Sequence, residues 1–333
     1  MKRCRQWSEC REPTQLPRWA RLRIIPVVSL SLASTLALTG CTSDDEPPPP
    51  IPIEERTPKL LLIGIDGVRA DVLADVSTPN IDALASGGTF TARTRTTTPS
   101  VSGPSWSSML TGVWPEKHGV TDNEFGGRRY DEYPGFLTRM EQVRPELSTF
   151  AVVDWVPLMQ LEGGSTVVGS EVDRRELLDG YEVGWAEADA RATGLTVEHL
   201  STADPDALFV YLGNPDETSH QAGSIGVEYR EAIALSDEHV GRIVGAARAR
   251  PTFPTENWLV IVSTDHGRTS EGGHGGDSPV EMTTFILTSG PGAAVGAFNG
   301  ASFIVDVAVT ALTHMGIDID PEWGLDGKAV GLR

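Results

Sequence analysis

Cysteine is scarce in this 333-residue chain, in which Cys4, Cys10 and Cys41 are the only three. The residues after Cys41 therefore cannot form a disulfide and offer no thiol for catalysis. The hydrophobic content of 39% is ordinary for a globular protein. It suffices for the core of one large domain or of two small ones.

Basic side chains are also scarce beyond residue 40. Seven of the 27 Lys and Arg but only 2 of the 46 Asp and Glu lie in residues 1–40, so the remainder carries a net charge of about −24. Nucleic acids bind proteins largely through neutralisation of phosphates by Lys and Arg, and anionic lipids attract polybasic segments. We therefore expect no polymeric DNA or RNA partner and no electrostatic attraction to a lipid surface.

The N-terminal apolar run, residues 24–38, is too short for a comfortable membrane span. It has about 15 residues, whereas a transmembrane helix needs roughly 20. Arg18, Arg21 and Arg23 precede it, and small residues lead from it into Cys41. This pattern is typical of an export signal, and its end resembles the lipobox of bacterial lipoproteins. We expect a lipoprotein signal peptide at residues 1–40; the alternative is a signal anchor that stays attached.

Residues 41–58 are predicted to be a lipidated cysteine followed by a proline-rich linker. Four consecutive prolines at 47–50 cannot pair in a sheet and favour an extended, semi-rigid spacer. Such a spacer holds the next domain, residues 59–333, away from a membrane. The predicted location is therefore extracytoplasmic, with attachment to the bacterial cell membrane only through the lipid on Cys41.

Three short apolar runs, at residues 59–66, 207–212 and 258–263, predict buried parallel strands. Helical patterns at 78–88 and 227–248 alternate with them, which indicates an α/β fold with a mostly parallel central sheet. The weaker patterns predict strands at 150–153 and 283–288, a β-leaning segment at 89–98, and helices at 105–110, 173–200 and 302–315.

Acidic and histidine side chains follow all three predicted apolar strands. The members of this set are Asp66, Asp216, His220, Asp265, His266 and His274. Open α/β sheets place their ligands at the carboxyl ends of their strands, so we expect these side chains to converge. Carboxylates and imidazoles suit zinc and could accept manganese. The set therefore predicts a site for two divalent ions.

Ser102 precedes the predicted helix at 105–110, whose first N–H groups could face an anion. A serine in this position is more often only a helix cap. Its coordination to a divalent cation would lower the pKa of its hydroxyl and make it a nucleophile. The two features together predict attack by Ser102 on a phosphate or sulfate ester.

With these residues the chain resembles the alkaline phosphatase superfamily, especially its nucleotide pyrophosphatase/phosphodiesterase and sulfatase-like branches. The resemblance covers roughly residues 59–290 and implies a three-layer α/β/α fold. The residues that carry it are Ile65 to Gly67, the helix at 78–88, Ser102 with Pro104, residues 110–112 and 115–119, Asp216 with His220, Asp265 to Gly267, and His274.

The resemblance also implies roles for individual residues. One ion would be bound by Asp66, Ser102, Asp265 and His266, and the other by Asp216, His220 and His274. Asn123 matches the position that donates a hydrogen bond to a phosphoryl oxygen; the alternative is a turn residue. His118 has no metal partner in this scheme and is predicted to be structural.

Two departures from the superfamily patterns bear on the activity. Sulfatases have an Arg four residues after a nucleophile that is converted to formylglycine, whereas this chain has Trp106 there, so we expect no sulfatase activity. In nucleotide pyrophosphatases the last histidine lies far beyond the Asp-His-Gly motif, but His274 is only eight residues past His266. That spacing resembles the ethanolamine-phosphate transferases.

The sequence thus predicts a metal-dependent phosphohydrolase acting on a small phosphorylated substrate. It would cleave phosphodiester or pyrophosphate bonds through a phosphoryl-serine intermediate on Ser102. Three alternatives remain open: a phosphomonoesterase, a transferase for a phospho-alcohol head group, and a tethered solute-binding lipoprotein that has no catalytic role.

Overall fold

The structure is a computed structural model that describes residues 51–333, so the predicted signal peptide and Cys41 lie outside the described residues. Within residues 51–333, no helix combines the length and the hydrophobicity that a membrane span requires. The eight strands are β1 (Thr57–Ile65), β2 (Gly88–Arg95), β3 (Thr149–Val153), β4 (Arg174–Leu177), β5 (Ala207–Leu212), β6 (Glu256–Ser263), β7 (Thr283–Ser289) and β8 (Gly296–Ala297).

Eleven α-helices connect and flank these strands in the described part. They are α1 (Ala70–Leu73), α2 (Pro79–Ser86), α3 (Ser102–Thr111), α4 (Pro115–His118), α5 (Phe136–Val143), α6 (Gly180–Val183), α7 (Trp185–Thr202), α8 (Asn214–Ala222), α9 (Val227–Arg248), α10 (Pro279–Met282) and α11 (Asp306–His314). Short 3₁₀ helices occur at Ile53–Glu55, Val156–Leu158, Phe253–Thr255 and Pro321–Trp323.

The strands form one mixed sheet in the order β4-β3-β5-β1-β6-β7-β2-β8. Only β7 is antiparallel to its neighbours, and the other described pairs are parallel. At the centre, Gly64 of β1 pairs with Tyr211 of β5 on one side and with Ser263 of β6 on the other. These three strands therefore end level with one another, and the loops that follow them meet at one edge of the sheet.

Helices cover both faces of the sheet, because successive residues of each central strand point to opposite sides. Leu60 and Leu62 of β1 pack into a core with helices α3, α5 and α11. Leu61 and Ile63 of the same strand pack on the other face with helices α2, α7 and α9. This arrangement confirms the predicted three-layer α/β/α architecture with a mostly parallel sheet.

The predicted helix at 173–200 is partly wrong. Its first residues form β4 at the edge of the sheet, where Phe150 of β3 pairs in parallel with Arg174. The chain then turns into α6, which begins where the Asp179 carboxylate accepts hydrogen bonds from the backbone N–H groups of Tyr181 and Glu182. Strand β4 is half-buried and rich in charged residues, so it lacks the apolar run that marks the central strands.

Candidate active site

The predicted site residues come together at the carboxyl ends of the central strands. Asp66 directly follows β1, Asp265 follows β6, and Asp216 lies in α8, which begins just after β5. Ser102 is the first residue of α3, and it is almost completely buried. These separate segments lie close together because β5, β1 and β6 end at the same height in the sheet.

A first group consists of Asp66, Asp265, His266 and Ser102. The Nε2 atom of His266 lies 3.5 Å from Oδ1 of Asp66 and 3.4 Å from Oδ2 of Asp265. It lies 3.1 Å from the Ser102 hydroxyl oxygen. The Nδ1 atom of His266 is 3.0 Å from the carbonyl of Gly267, so we assign the proton to Nδ1 and the free lone pair to Nε2.

This first group is short of hydrogen-bond donors, as expected of metal ligands. Oδ1 of Asp66 and Oδ2 of Asp265 are buried and have no hydrogen-bond partner in the described residues. Burial raises the pKa of Asp265 well above its ordinary value, and the charge of Asp66 adds to this effect. Burial lowers the pKa of His266 to about 3. Buried carboxylates facing a neutral imidazole fit a divalent cation, which would supply the missing positive charge.

A second group consists of Asp216, His220 and His274. His220 lies one helical turn after Asp216 on α8, and its Nε2 atom is 3.2 Å from Oδ2 of Asp216. The Nε2 atoms of His220 and His274 are also 3.2 Å apart. Nδ1 of His274 faces the carbonyl of Ser100 at 3.0 Å, which leaves the lone pair on Nε2. Burial, followed by the neighbouring His266, lowers the pKa of His274 to about 2.

The two groups adjoin each other through His266. Its ring stacks on that of His274 with centroids 4.0 Å apart, and its Nε2 atom is 3.8 Å from Oδ1 of Asp216. Ligand atoms of Asp66, Asp265 and His266 lie within 4.8 Å of one another, and so do those of Asp216, His266 and His274. All seven predicted ligands therefore line one contiguous cluster, while their division between two ions stays a prediction.

Three further side chains orient these carboxylates, and the sequence analysis did not identify their roles. The Trp106 indole donates a 2.8 Å hydrogen bond to Oδ2 of Asp66, and the hydroxyl of Tyr211 donates to the same oxygen. Arg268 is fully buried and donates to Oδ1 of Asp216. A side chain at Gly64 would lie 2.3 Å from the Trp106 ring, so this glycine leaves the space that the indole needs.

Asn123 lies in an exposed loop beside Ser102. Its Oδ1 atom accepts a 2.7 Å hydrogen bond from the backbone N–H of Gly103, in the first turn of α3. This contact fixes the orientation of the amide, so that its NH₂ group remains available as a donor. Asn123 and Ser102 line the same pocket, which gives the NH₂ group access to a ligand there.

Aromatic side chains form one wall of this pocket. Trp155, Tyr181 and Trp185 line it together with the acidic Glu217. Tyr181 is 70% exposed, and its ring meets that of Trp185 edge-on at a centroid distance of 5.0 Å. We call Trp155, Tyr181 and Trp185 the aromatic wall. It offers apolar surface to an organic group next to Ser102.

His118 is structural, as predicted. It is completely buried outside this cluster, and its Nδ1 atom accepts a 3.1 Å hydrogen bond from the backbone N–H of Val120. Its Nε2 atom lies 3.0 Å from the hydroxyl of Ser108. Burial lowers the pKa of His118 to about 4, so the ring is neutral. Both nitrogens are thus occupied within the protein.

Solved structures share this fold. Murine ectonucleotide pyrophosphatase/phosphodiesterase 5, solved in an inactive form with AMP, superposes with a TM-score of 0.61 at 15% identity, covering 79% of this chain and 96% of that one. A phosphonate monoester hydrolase of Agrobacterium radiobacter gives a TM-score of 0.63 at 17% identity, covering 82% and 76%. At such low identity the likeness shows the fold alone.

The sequence match is more specific. The family model for type I phosphodiesterase / nucleotide pyrophosphatase matches residues 60–322, which is well over half of the chain. The chain therefore belongs to this family, and the predicted resemblance is confirmed.

Curated relatives agree with this assignment. Ectonucleotide pyrophosphatase/phosphodiesterase family member 7 of Homo sapiens is 28% identical over 276 residues, which cover 76% of this chain and 56% of the relative. A bis(5'-adenosyl)-triphosphatase of Bos taurus is 25% identical over 242 residues, covering 70% and 51%. The chain spans about half the length of these two relatives.

Proposed function

We propose that the protein is a metal-dependent hydrolase that cleaves phosphodiester or pyrophosphate bonds through a phosphoryl-serine intermediate. The observation that carries the proposal is the position of the Ser102 hydroxyl, at the start of a helix and 3.1 Å from an imidazole nitrogen of the ligand cluster. Family membership supports the same class of reaction.

The cluster fits two divalent ions, and its nitrogen and oxygen ligands favour zinc. Asp66, Ser102, Asp265 and His266 would hold one ion, and Asp216, His220 and His274 the other. Bound there, the ions would lower the pKa of the Ser102 hydroxyl and offset the negative charge of the phosphate. The unpartnered oxygens of Asp66 and Asp265 support this assignment.

Ser102 is the nucleophile in this proposal. Its Oγ atom attacks phosphorus, the bond from phosphorus to the leaving alcohol or phosphate breaks, and a phosphoryl-serine forms that still carries the other organic group of the substrate. Water then cleaves that ester and restores the serine. The Asn123 NH₂ group donates to a phosphoryl oxygen, because its own carbonyl oxygen is already engaged by Gly103.

The pocket favours a diester over a monoester. No Lys or Arg is among its lining residues in the described part of the chain, so the second charge of a monoester dianion would have no side-chain cation to meet. The aromatic wall instead offers contact to the second organic group of a diester. This group could stack on Tyr181 or pack against Trp185.

We also propose that the protein works outside the cytoplasm, attached through a lipid on Cys41. Support comes from the short apolar run, from the small residues before Cys41 and from the proline-rich spacer. Mass spectrometry of the membrane-extracted protein tests this proposal. It predicts a chain that begins at a lipid-modified Cys41, and an unmodified chain that retains residues 1–40 would contradict it.

Trapping the covalent intermediate tests the catalytic proposal. The zinc-reconstituted protein is mixed with bis-nitrophenyl phosphate and quenched in acid, and peptide mass spectrometry should then place one nitrophenylphosphoryl group on Ser102, since only one nitrophenolate leaves when the intermediate forms. The Ser102→Ala variant should lose turnover by roughly a thousandfold or more while it keeps its fold. Near-normal turnover in that variant would remove Ser102 from the mechanism. Faster turnover of mono-nitrophenyl than of bis-nitrophenyl phosphate would favour a phosphomonoesterase instead.

A further inference from the structure

Two buried carboxyl groups lie behind the ligand cluster and take no part in the mechanism proposed above. Asp154 directly follows β3, and Asp189 lies in α7. Both side chains are fully buried. They meet beside Gly213, the residue that immediately precedes α8. Three elements of the fold therefore converge on this pair.

The contacts of the pair leave most of its oxygen atoms without a donor. Oδ1 of Asp189 accepts a 2.9 Å hydrogen bond from the backbone N–H of Gly213. Both oxygens of Asp154 and Oδ2 of Asp189 have no hydrogen-bond partner in the described residues. A Cβ atom at Gly213 would lie 2.9 Å from Oδ1 of Asp154, so both carboxyl groups face the same peptide.

Two ionised carboxylates are unfavourable in such a place, because each would be a buried charge without a counterion. Burial raises the pKa of Asp154 well above its ordinary value, and the charge of Asp189 adds to the shift. The ionisable groups that face Asp154 are Asp189 on α7, Asp66 after β1 and Tyr211 on β5, and none of them is a cation.

We propose that Asp154 and Asp189 share one proton, and that the resulting singly charged pair positions the start of α8 for metal binding by Asp216 and His220. Asp154 donates the proton in a hydrogen bond to Asp189, and Asp189 remains the charged acceptor for Gly213. The inference rests on the proposed ligand roles of Asp216 and His220.

The position of the pair explains how it acts on the site. Helix α8 runs from Asn214 to Ala222, and Asp216 and His220 lie one turn apart on it. The single negative charge lies at the N-terminal end of α8, where the helix dipole favours an anion. A second negative charge there would repel the first one and would loosen the contact with Gly213. The pair therefore holds α8 in place while one proton is bound and weakens its hold at alkaline pH.

Infrared spectroscopy tests the shared proton without reference to catalysis. The purified protein at neutral pH should show the carbonyl stretch of a buried carboxylic acid, which an alkaline titration removes. That band should be missing from Asp154→Asn and unchanged in Glu187→Gln, an exposed control on α7. Because the pKa of Asp265 is also raised, the band is identified in the difference between the spectra of wild type and Asp154→Asn. The proposal would be overturned if that difference contained no carboxylic acid band.

Calorimetric zinc binding tests the positioning role. Asp189→Ala loses the acceptor for Gly213 and should bind zinc roughly 10- to 100-fold more weakly, the usual cost of losing an outer-shell partner. Asp189→Asn keeps an acceptor oxygen and should restore the affinity. Asp154→Asn carries a permanent donor, so its zinc affinity should fall less between neutral and alkaline pH than that of wild type.

These outcomes separate the inference from the proposed function. Equal zinc affinity in wild type and Asp189→Ala, or the same alkaline loss in wild type and Asp154→Asn, would overturn the positioning role. If Asp189→Ala fails to fold, the loss of zinc affinity at alkaline pH in wild type and in Asp154→Asn still tests the positioning role. Absence of zinc binding by wild type would contradict the proposed function and the positioning role together, but the infrared band would still report on the shared proton.

Discussion

The two ends of the three central strands carry acidic side chains in opposite electrostatic settings. At the amino ends, Lys59 of β1 donates to Asp204 and Asp206 at 2.8 and 2.9 Å. At the same end, Arg250 donates hydrogen bonds from Nη2 and Nε to the carboxylate of Glu256 in β6, and Nη2 lies 2.8 Å from Oε1. Each buried charge at this end therefore faces one of opposite sign.

At the carboxyl ends of the same strands, acids outnumber cations. Asp66, Asp216 and Asp265 converge there, and among them only Asp216 has a partner of fixed positive charge, Arg268. Buried oxygens of Asp66 and Asp265 have no hydrogen-bond partner in the residues described. One end is therefore neutralised within the protein, whereas the other has the unpaired carboxylates that fit the cations proposed above.

The largest effect should come from removing a carboxylate at the unpaired end. Asp265→Asn should weaken zinc binding by more than the roughly 100-fold that loss of an outer-shell partner costs, and activity should be lost with it. In metal-free protein the same change should raise the melting temperature, because a buried carboxyl group with a raised pKa opposes folding at neutral pH, either as an unpaired charge or through the uptake of a proton. Calorimetry and thermal melts measure the two effects.

The exposed Asp277→Asn serves as the matched control, because Asp277 lies three residues after His274 but faces solvent. It should change neither zinc affinity nor the melting temperature. A fall in the melting temperature of metal-free Asp265→Asn would show that this end is neutralised within the protein, against the comparison.

Breaking the paired end should have the opposite result. Glu256→Gln removes one of the two carboxylates that contact the buried guanidinium of Arg250, and Asp204 remains, so the free energy of unfolding should fall by less than the roughly 3–5 kcal/mol that a fully uncompensated buried charge costs. Zinc affinity should not change, because the mutated side chain lies at the far end of β6. Urea unfolding measures the loss, with the exposed Glu238→Gln as control. A large drop in zinc affinity would contradict the separation of the two ends.

The stability of Glu256→Gln should also depend on pH differently from that of wild type. Burial tends to raise the pKa of Glu256, but hydrogen bonds from Arg250, Thr252 and Trp258 outweigh it and lower the pKa below 4.5. A carboxylate with a lowered pKa stabilises the fold above the unfolded value, and this stability disappears as the pH falls through the folded value. The stability gap between wild type and Glu256→Gln should therefore close in acid, as urea unfolding at several pH values would detect. A stability difference that stays the same at every pH would contradict the lowered pKa of Glu256.

The smallest effect is expected from Trp106→Phe. This change removes the indole donor to Asp66 but keeps an aromatic ring in the core below Gly64. Because Tyr211 still donates to the same oxygen, zinc affinity should fall by about 10-fold, the low end for loss of an outer-shell partner. Zinc titration of Trp106→Phe measures this fall in affinity, and an unchanged affinity would show that the indole does not orient Asp66.

The sequence predicted the position of a site residue when the residues next to it in the chain indicated its place in the fold. Asp66 and Asp265 each follow an apolar run directly, so the rule that ligands gather at strand ends was sufficient to bring them together. Arg268 and Tyr211 gave no such signal, because their partners lie 52 and 145 residues away along the chain. Strand β4 was missed because its charged residues belong to the edge of the sheet.

The pair of Asp154 and Asp189 was also beyond sequence reasoning. Asp154 follows the weakly predicted strand at 150–153, and Asp189 lies within the predicted helix at 173–200, whose pattern gives no sign of a buried acid. Their burial becomes apparent only when β3, α7 and the turn at Gly213 are assembled. Tertiary burial, rather than local pattern, decides which acids are unpaired.

Anomalous X-ray diffraction at the zinc absorption edge, on crystals of the zinc-reconstituted protein, would locate the bound ions. We expect two metal peaks beside the Ser102 hydroxyl, one among Asp66, Asp265 and His266 and the other among Asp216, His220 and His274. Crystals that show no peak there, or peaks only elsewhere on the surface, would contradict this expectation.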